Sequence, residues 1–148
     1  MYSTVTEVRD MIKPDALNQI IGDVYIEDEA EREAKIVPLI EAAILDADGE
    51  IDGYLSKRYN LPLGSVPKVI NKFSKDLALY NLFSRIGLAS DDRETTYQNR
   101  YKAAIKFFEN VAKGLVDIGI GSNEQAPKSD FKINSNTRLF SRNSLKGM

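Results

Sequence analysis

The chain has 148 residues, of which 43% are hydrophobic and 28% charged, as in an ordinary globular protein of one domain. It contains no cysteine and no histidine, which excludes disulfides, thiolate metal sites and histidine-based catalysis but leaves carboxylate chemistry open. No apolar run approaches the roughly 20 residues of a membrane span and no secretory signal is visible, so we expect no membrane association.

The N-terminal third predicts short helices. Thr4 and Glu7 have the spacing of a capping box, and Pro14 indicates a break between two short helices. The stretch "DVYIED" alternates weakly and is compatible with either a short strand or a loop. The charge run "EDEAEREAK" predicts a solvated helical turn.

A first long helix is predicted from Val37, with Pro38 in its first turn, where a missing N–H is harmless. Its apolar positions recur at steps of three and four, which is a single helical stripe. They are Val37, Ile40, Ile44, Ala47, Ile51 and Tyr54.

The acidic stretch "DADGEIDGYL", residues 46–55, lies within this helix and raises the question of a calcium loop. Such a loop needs Gly at its sixth position and a bidentate Glu at its twelfth. Starting at Asp46 puts Ile51 at the sixth position, and starting at Asp48 puts Tyr59 at the twelfth. We therefore predict no metal site, and a helix whose acids occupy its outward faces. These acids are Asp46, Asp48, Glu50 and Asp52.

Two further long helices follow the connector "NLPLGSVP". One is predicted from Pro67 to Ile86 and is apolar over so much of its girth that it should be central in a bundle. The next begins near an Asp91/Glu94 capping pair and ends near Gly114. Its stripe comprises Tyr97, Tyr101, Ala104, Phe108, Val111 and Leu115, and we interpret these aromatic residues as core rather than as a cofactor site.

The chain changes in character after Gly121. From Gln125 onward it has five bases and one acid, a net charge of +4, while the whole chain has −2. A basic tail on an acidic body predicts that the tail docks on nucleic acid or on an acidic protein surface. The fold class is therefore all-α, a small bundle of about three long helices plus short N-terminal helices with an extended C-terminal tail. The predicted domains are a helical bundle over 1–121 and a C-terminal docking arm over 122–148.

Several motifs carry a family resemblance. "AILDADGEIDGYLSKRYNLPL" is followed by "VP" opening a helix with "DLALYNL", and later by a Tyr-bearing helix that ends in "AKGLVDIG". Together with the terminal "RLFSRNSLKG", this ordered set resembles the phage Mu-type head–tail joining family. The resemblance is clearest over residues 43–63 and covers most of the chain; the stretch 24–35 departs from it in composition.

The resemblance implies a structural virion protein without enzymatic activity or cofactor. It would be assembled in the host cytoplasm and located at the head–tail interface. Such proteins act as adaptors between the portal and the tail or neck proteins, in a ring that is expected to be twelve-fold with DNA passing through its lumen. The four acids of residues 46–52 are then candidates for a lumen lining that repels phosphates.

The same resemblance gives roles to residues near the two ends of the fold. Arg58 and Tyr59 are either structural, at a helix end, or contacts to the next subunit. Arg138, Phe140 and Arg142 are spaced by two, so in an extended chain they point to one side, with Leu139 on the other. An aromatic flanked by arginines is typical of an interface anchor. The predicted docking residues are Arg138, Leu139, Phe140, Arg142 and Leu145.

Two other functions are compatible with the sequence. A sequence-independent DNA-binding module would use the basic tail, although a pI near 5.3 is low for a dedicated binder. A carboxylate-dependent metal hydrolase would need acids from adjacent helices to converge on one pocket. The pairs Glu7/Asp10 and Asp91/Glu94 are explained more simply as acids at helix starts.

Overall fold

The computed structural model describes residues 1–22, 26–86 and 92–121, and all regular structure in these ranges is α-helical. This confirms the predicted all-α class with three long helices and short N-terminal ones, while the arm predicted for 122–148 lies outside the described residues. The helices are α1 (Val5–Arg9), α2 (Pro14–Ile21), α3 (Glu29–Leu55), α4 (Lys68–Ser84) and α5 (Asp92–Ala112).

The two short helices begin at the positions that Thr4 and Pro14 predict. At α1, the Glu7 backbone N–H donates to the Thr4 hydroxyl at 3.3 Å, and the Thr4 N–H donates to the Glu7 carboxylate at 2.9 Å. The predicted capping box is therefore confirmed. Pro14 occupies the first position of α2, and Gly22, with φ of 103°, is the C-cap of that helix. Glycine takes this left-handed conformation without the Cβ penalty of other residues.

Helix α3 begins eight residues before the predicted start. Its N-cap is Asp28, whose carboxylate accepts the Ala30 backbone N–H at 3.0 Å, so residues 29–35 of the run "EDEAEREAK" form the first turns. The prediction that Pro38 lies in the first turn is wrong, because Pro38 is inside the helix. Pro38 is exposed, which places the backbone carbonyl that lacks its hydrogen-bond partner on the hydrated side.

The helix continues through residues 46–55 without a break, which confirms the helical interpretation of "DADGEIDGYL" over the loop. Its buried stripe packs against α4 and α5, so α3 forms one wall of the core. The fully buried apolar residues of α3 are Ile36, Ile40, Ile44, Ala47, Ile51 and Leu55.

Aromatic rings join α4 to α5. Ring centroids are 4.2 Å apart for Tyr80 and Tyr101, and 4.6 Å apart for Phe83 and Tyr97. Phe108 is fully buried, as its stripe predicts. Leu115, placed on the same stripe, is 73% exposed instead. Helix α5 ends at Ala112 before the stripe reaches it, so Leu115 has left the helical register.

Candidate interaction surfaces

The predicted docking residues of the arm, from Arg138 to Leu145, lie outside the described residues. Asp91 lies outside them as well, so the Asp91/Glu94 capping pair stays a prediction. Docking through Arg138, Leu139, Phe140, Arg142 and Leu145 stays a prediction. The other predicted site residues lie on α3 or just after it, where their contacts can be followed atom by atom.

Arg58 follows the end of α3 and holds the segment that leaves α5. Its guanidinium donates to the Val111 carbonyl oxygen at 3.1 Å and to the Val116 carbonyl oxygen at 3.4 Å. Val111 belongs to the last turn of α5, and its carbonyl oxygen also accepts the Gly114 backbone N–H at 3.0 Å. The arginine therefore bonds to acceptors on both sides of the turn that contains Gly114, which has φ of 77°.

Tyr59 adds to these contacts between the end of α3 and the segment after α5, which we call the clasp. It is 3% exposed, and its hydroxyl accepts the Ile118 backbone N–H at 3.4 Å. The Arg58 guanidinium also lies 5.8 Å from the centroid of the Tyr59 ring. These contacts are all within one chain and give both residues a structural role; a contact of either residue with a second subunit stays a prediction.

Asp48 departs from the prediction that the four acids occupy outward faces. It is 8% exposed, and its carboxylate accepts the Tyr2 backbone N–H at 3.1 Å and lies 3.4 Å from the Met1 ammonium. A residue this buried cannot line a lumen. Asp48 lies four residues after Ile44 and three before Ile51, which places it beside the buried stripe. This spacing is the feature of the sequence that indicates its burial.

The N-terminal residues surround this carboxylate. The Ser3 and Ser74 hydroxyls are 2.8 Å apart, and the Asn71 amide donates to the Tyr2 carbonyl at 2.9 Å. Asn71 also donates to the Glu7 carboxylate, and with the Thr4 backbone N–H it lowers the pKa of Glu7, the Thr4 bond being the larger cause. No motif in the sequence pointed to Ser3, Asn71 or Ser74, because each is paired with a residue distant in the chain.

The other three acids differ in exposure. Asp46 is exposed, while Glu50 and Asp52 are half-buried and accept hydrogen bonds from tyrosine hydroxyls. The Tyr2 hydroxyl donates to Asp52, and the Tyr101 hydroxyl donates to Glu50 at 3.0 Å. Burial, followed by the bond to Glu50, raises the pKa of Tyr101 to about 12.

An open groove of about 290 Å³ lies between α3 and α4. Asp46 and Glu50 border it on one side and Arg85 on the other, so its lining carries both signs of charge. Among the described residues, no three acids are placed to hold a metal ion together. No described helix is long and apolar enough to cross a membrane.

Comparison with known proteins adds an independent line of evidence. Residues 2–134 match the family model described as Bacteriophage Mu, Gp36. The chain is 31% identical over 110 residues to the Mu-like prophage FluMu protein gp36 of Haemophilus influenzae, which covers 73% of this chain and 74% of the relative. It is also 30% identical over 107 residues to gene product J of Escherichia phage Mu, covering 69% and 70% of the two chains.

Proposed function

The chain belongs to the Bacteriophage Mu Gp36 family, and from that membership we propose that it is a structural virion protein, a connector that forms a ring between the portal and the tail of a phage or prophage. The observation that carries this proposal is the match over residues 2–134, which spans the helical body and the first part of the arm. Both similar relatives are named as phage or prophage proteins.

The fold supports a structural role. The described residues form a helical body in which several ionisable groups are engaged in intramolecular contacts. Asp76, for example, is 2% exposed and lies 3.3 Å from Arg100 and 3.5 Å from Lys72. The carboxylates of buried acids in this body therefore pair with cations or backbone N–H groups of the same chain, as in a structural scaffold.

In the proposed assembly the body forms the ring, which we expect to be twelve-fold, and the basic arm docks on the portal or a tail or neck protein. DNA passes through the lumen without sequence-specific binding. Of the four acids proposed to line the lumen, Asp46 alone is exposed rather than half-buried or buried. We therefore propose that DNA passes through the ring without assigning the face that lines the lumen. The protein would be assembled in the host cytoplasm and reside at the head–tail interface.

The test is to remove the gene from the phage or prophage that encodes the protein and to image the particles by electron microscopy. We expect filled or emptied heads without tails, and separate tails, with restoration by the intact gene in trans. Purified portal mixed with the protein should show an added ring at one end of the portal. Normal tailed particles from the deletion would overturn the connector function.

A further inference from the structure

The outer face of α3 carries an apolar strip that nothing in the described structure covers. Pro38, Ala42, Leu45 and Gly49 follow one another at helical spacing on the side opposite the buried stripe, and all four are exposed. Leu45 is 60% exposed, and a Cβ atom placed on Gly49 would meet nothing within 4 Å. Such a flat strip lets another helix approach closely.

Two carboxylates flank this strip. Glu41 lies along one edge and Asp46 along the other; both are exposed, and neither forms an ion pair within the described part of the chain. Acids nearer the start of the helix differ: Glu31 pairs with Lys35 at 3.1 Å, and Glu33 pairs with Arg9 at 2.7 Å. The strip therefore has an apolar centre and an acidic rim that forms no ion pair with the residues that the structure describes, the arrangement of a protein–protein interface.

The outer face of α5 carries the opposite charge. Lys102 and Lys106 are one turn apart, exposed, and without an ion pair in the described ranges. Their neighbours are engaged: Arg100 lies 3.3 Å from Asp76, and Lys113 lies 3.6 Å from Glu109.

The net charges of the whole helices have the same signs as these two faces. Helix α3 contains eight acids and two bases, a net charge of −6. Helices α4 and α5 together contain seven bases and four acids, a net charge of +3. The two outer faces point away from the core that α3 shares with α4 and α5, so they cannot meet within one chain. They can meet between two copies.

We propose that the outer face of α3 in one copy binds the outer face of α5 in the next copy, and that this contact, repeated, builds the ring. The inference rests on the proposed connector function for the ring and goes beyond it in naming the two faces. Because the patches differ, the contact is heterologous, and it closes into a ring when the rotation between copies is an integral fraction of a turn.

The two charge pairs have similar spacings along their helix axes. Along the helix axis Lys102 and Lys106 are about 6 Å apart, and Glu41 and Asp46 are about 7.5 Å apart, at 1.5 Å per residue. Exposed ion pairs contribute little to affinity, so burial of Leu45 and the strip holds the copies together. The charges set which faces meet and in which orientation.

The experiment is a charge exchange between two full-length variants. Glu41→Lys/Asp46→Lys makes both faces basic, and Lys102→Glu/Lys106→Glu makes both faces acidic. Each variant alone should self-associate at least about tenfold more weakly than the wild type, measured by sedimentation velocity at low ionic strength, because like charges then face each other. An equimolar mixture of the two should regain association, since each reversed face now finds a complementary one. Rings of the mixture should contain even numbers of copies.

Glu29→Lys/Glu31→Lys is the matched control, with the same charge change at the far end of α3, and it should associate as the wild type does. An equal loss in this control would show that net charge rather than the face decides, and would overturn the proposal. A wild type that stays monomeric at its highest soluble concentration, or a mixture that stays dissociated, would overturn it as well.

The C-terminal arm is the competing occupant of the α3 face, since it is also basic. If Arg138→Glu/Arg142→Glu abolished association while Lys102→Glu/Lys106→Glu left it intact, the arm would be the occupant and the α5 contact would be wrong. The connector function has its own readout. If each exchange variant alone still restored tailed particles to a phage lacking the gene, the proposed interface would be wrong and the connector function would be retained. If the copies associated through these faces but tails joined without the protein, the interface would be right and the connector function wrong.

Discussion

Gly114 lies against the side chain of Arg58, with 3.5 Å between the guanidinium carbon and the point that a Cβ atom on residue 114 would occupy. The glycine allows the chain to turn back after α5, and the arginine binds carbonyl oxygens on both sides of that turn. The end of α3 and the end of α5 are thereby fixed to one another. The clasp is a property of two residues 56 positions apart in the chain, and each depends on the other for its role.

Replacing Gly114 by alanine should destabilise the protein by about 1–2 kcal/mol, because an L-residue is strained at positive φ. A distance of 3.5 Å is ordinary van der Waals contact, so the cost arises from the backbone rather than from a clash. Gly53→Ala is the control. It lies inside α3 with nothing within 4 Å of its Cβ position, and should stabilise by about 0.5–1 kcal/mol. Urea unfolding measures both, and a neutral Gly114→Ala would contradict the positive φ of this turn.

Phe108→Ala should lower the free energy of unfolding by about 3–5 kcal/mol, because the ring is fully buried and its removal leaves a cavity. The same substitution at Phe73, which is half-buried, should cost less. Leu115→Ala is the matched exposed control and should change stability by less than about 0.5 kcal/mol. Thermal and urea unfolding of the three variants test this order; a Leu115 effect equal to that of Phe108 would contradict the observed end of α5.

The helical stripes were predictable because periodicity depends on local spacing. Ile40, Ile44 and Ile51 are buried as their spacing requires. The start of α3 is less predictable, because a proline such as Pro38 is typical of a first helical turn. A proline on the solvent side of a long helix is tolerated, and Asp28 with Glu29 was the better signal for the start.

The candidate site was harder to predict than the helices. Whether Asp48 is buried depends on where residues 1–3 return to α3, and the clasp depends on where the chain goes after α5. Both are contacts over long sequence separations, which periodicity does not encode. The arm residues from Arg138 to Leu145 are known from sequence alone.

Stability should fall at alkaline pH partly through Tyr101. Its pKa rises from 10.0 to about 12 on folding, so the neutral form is favoured in the folded state. The resulting stabilisation is complete below pH 10 and is lost as the pH rises toward 12, because the unfolded state ionises first. Tyr101→Phe should therefore be less stable at neutral pH, having lost the bond to Glu50, but should show a shallower decline between pH 10 and 12.

The measurement is urea unfolding at a series of pH values, with tyrosinate absorbance recorded on the folded protein. Glu50→Gln is the companion variant. It removes the charge that opposes ionisation but leaves the burial, which is the larger cause, so an intermediate slope is expected. Identical slopes for the wild type and Tyr101→Phe would show that Tyr101 titrates alike in both states.

The last prediction concerns the arm and tests its docking role. Arg138→Glu/Arg142→Glu should leave the melting temperature unchanged and should stop particle assembly at heads without tails, because like charges against an acidic partner surface repel. Phe140→Ala should weaken docking without changing solubility, as expected for a buried aromatic anchor. Complementation of a phage lacking the gene, followed by electron microscopy, is the measurement.

Lys128→Glu/Lys132→Glu is the matched control, because it makes the same change of charge in the same arm outside the predicted anchors. It should restore tailed particles, which would assign the effect to residues 138–142 rather than to the overall charge of the arm. An arm that bound DNA instead would respond differently: affinity for any duplex would fall steeply with salt in the wild type, and both reversals would weaken it alike. Infectious particles assembled with the Arg138→Glu/Arg142→Glu protein would show that these arginines do not dock the arm.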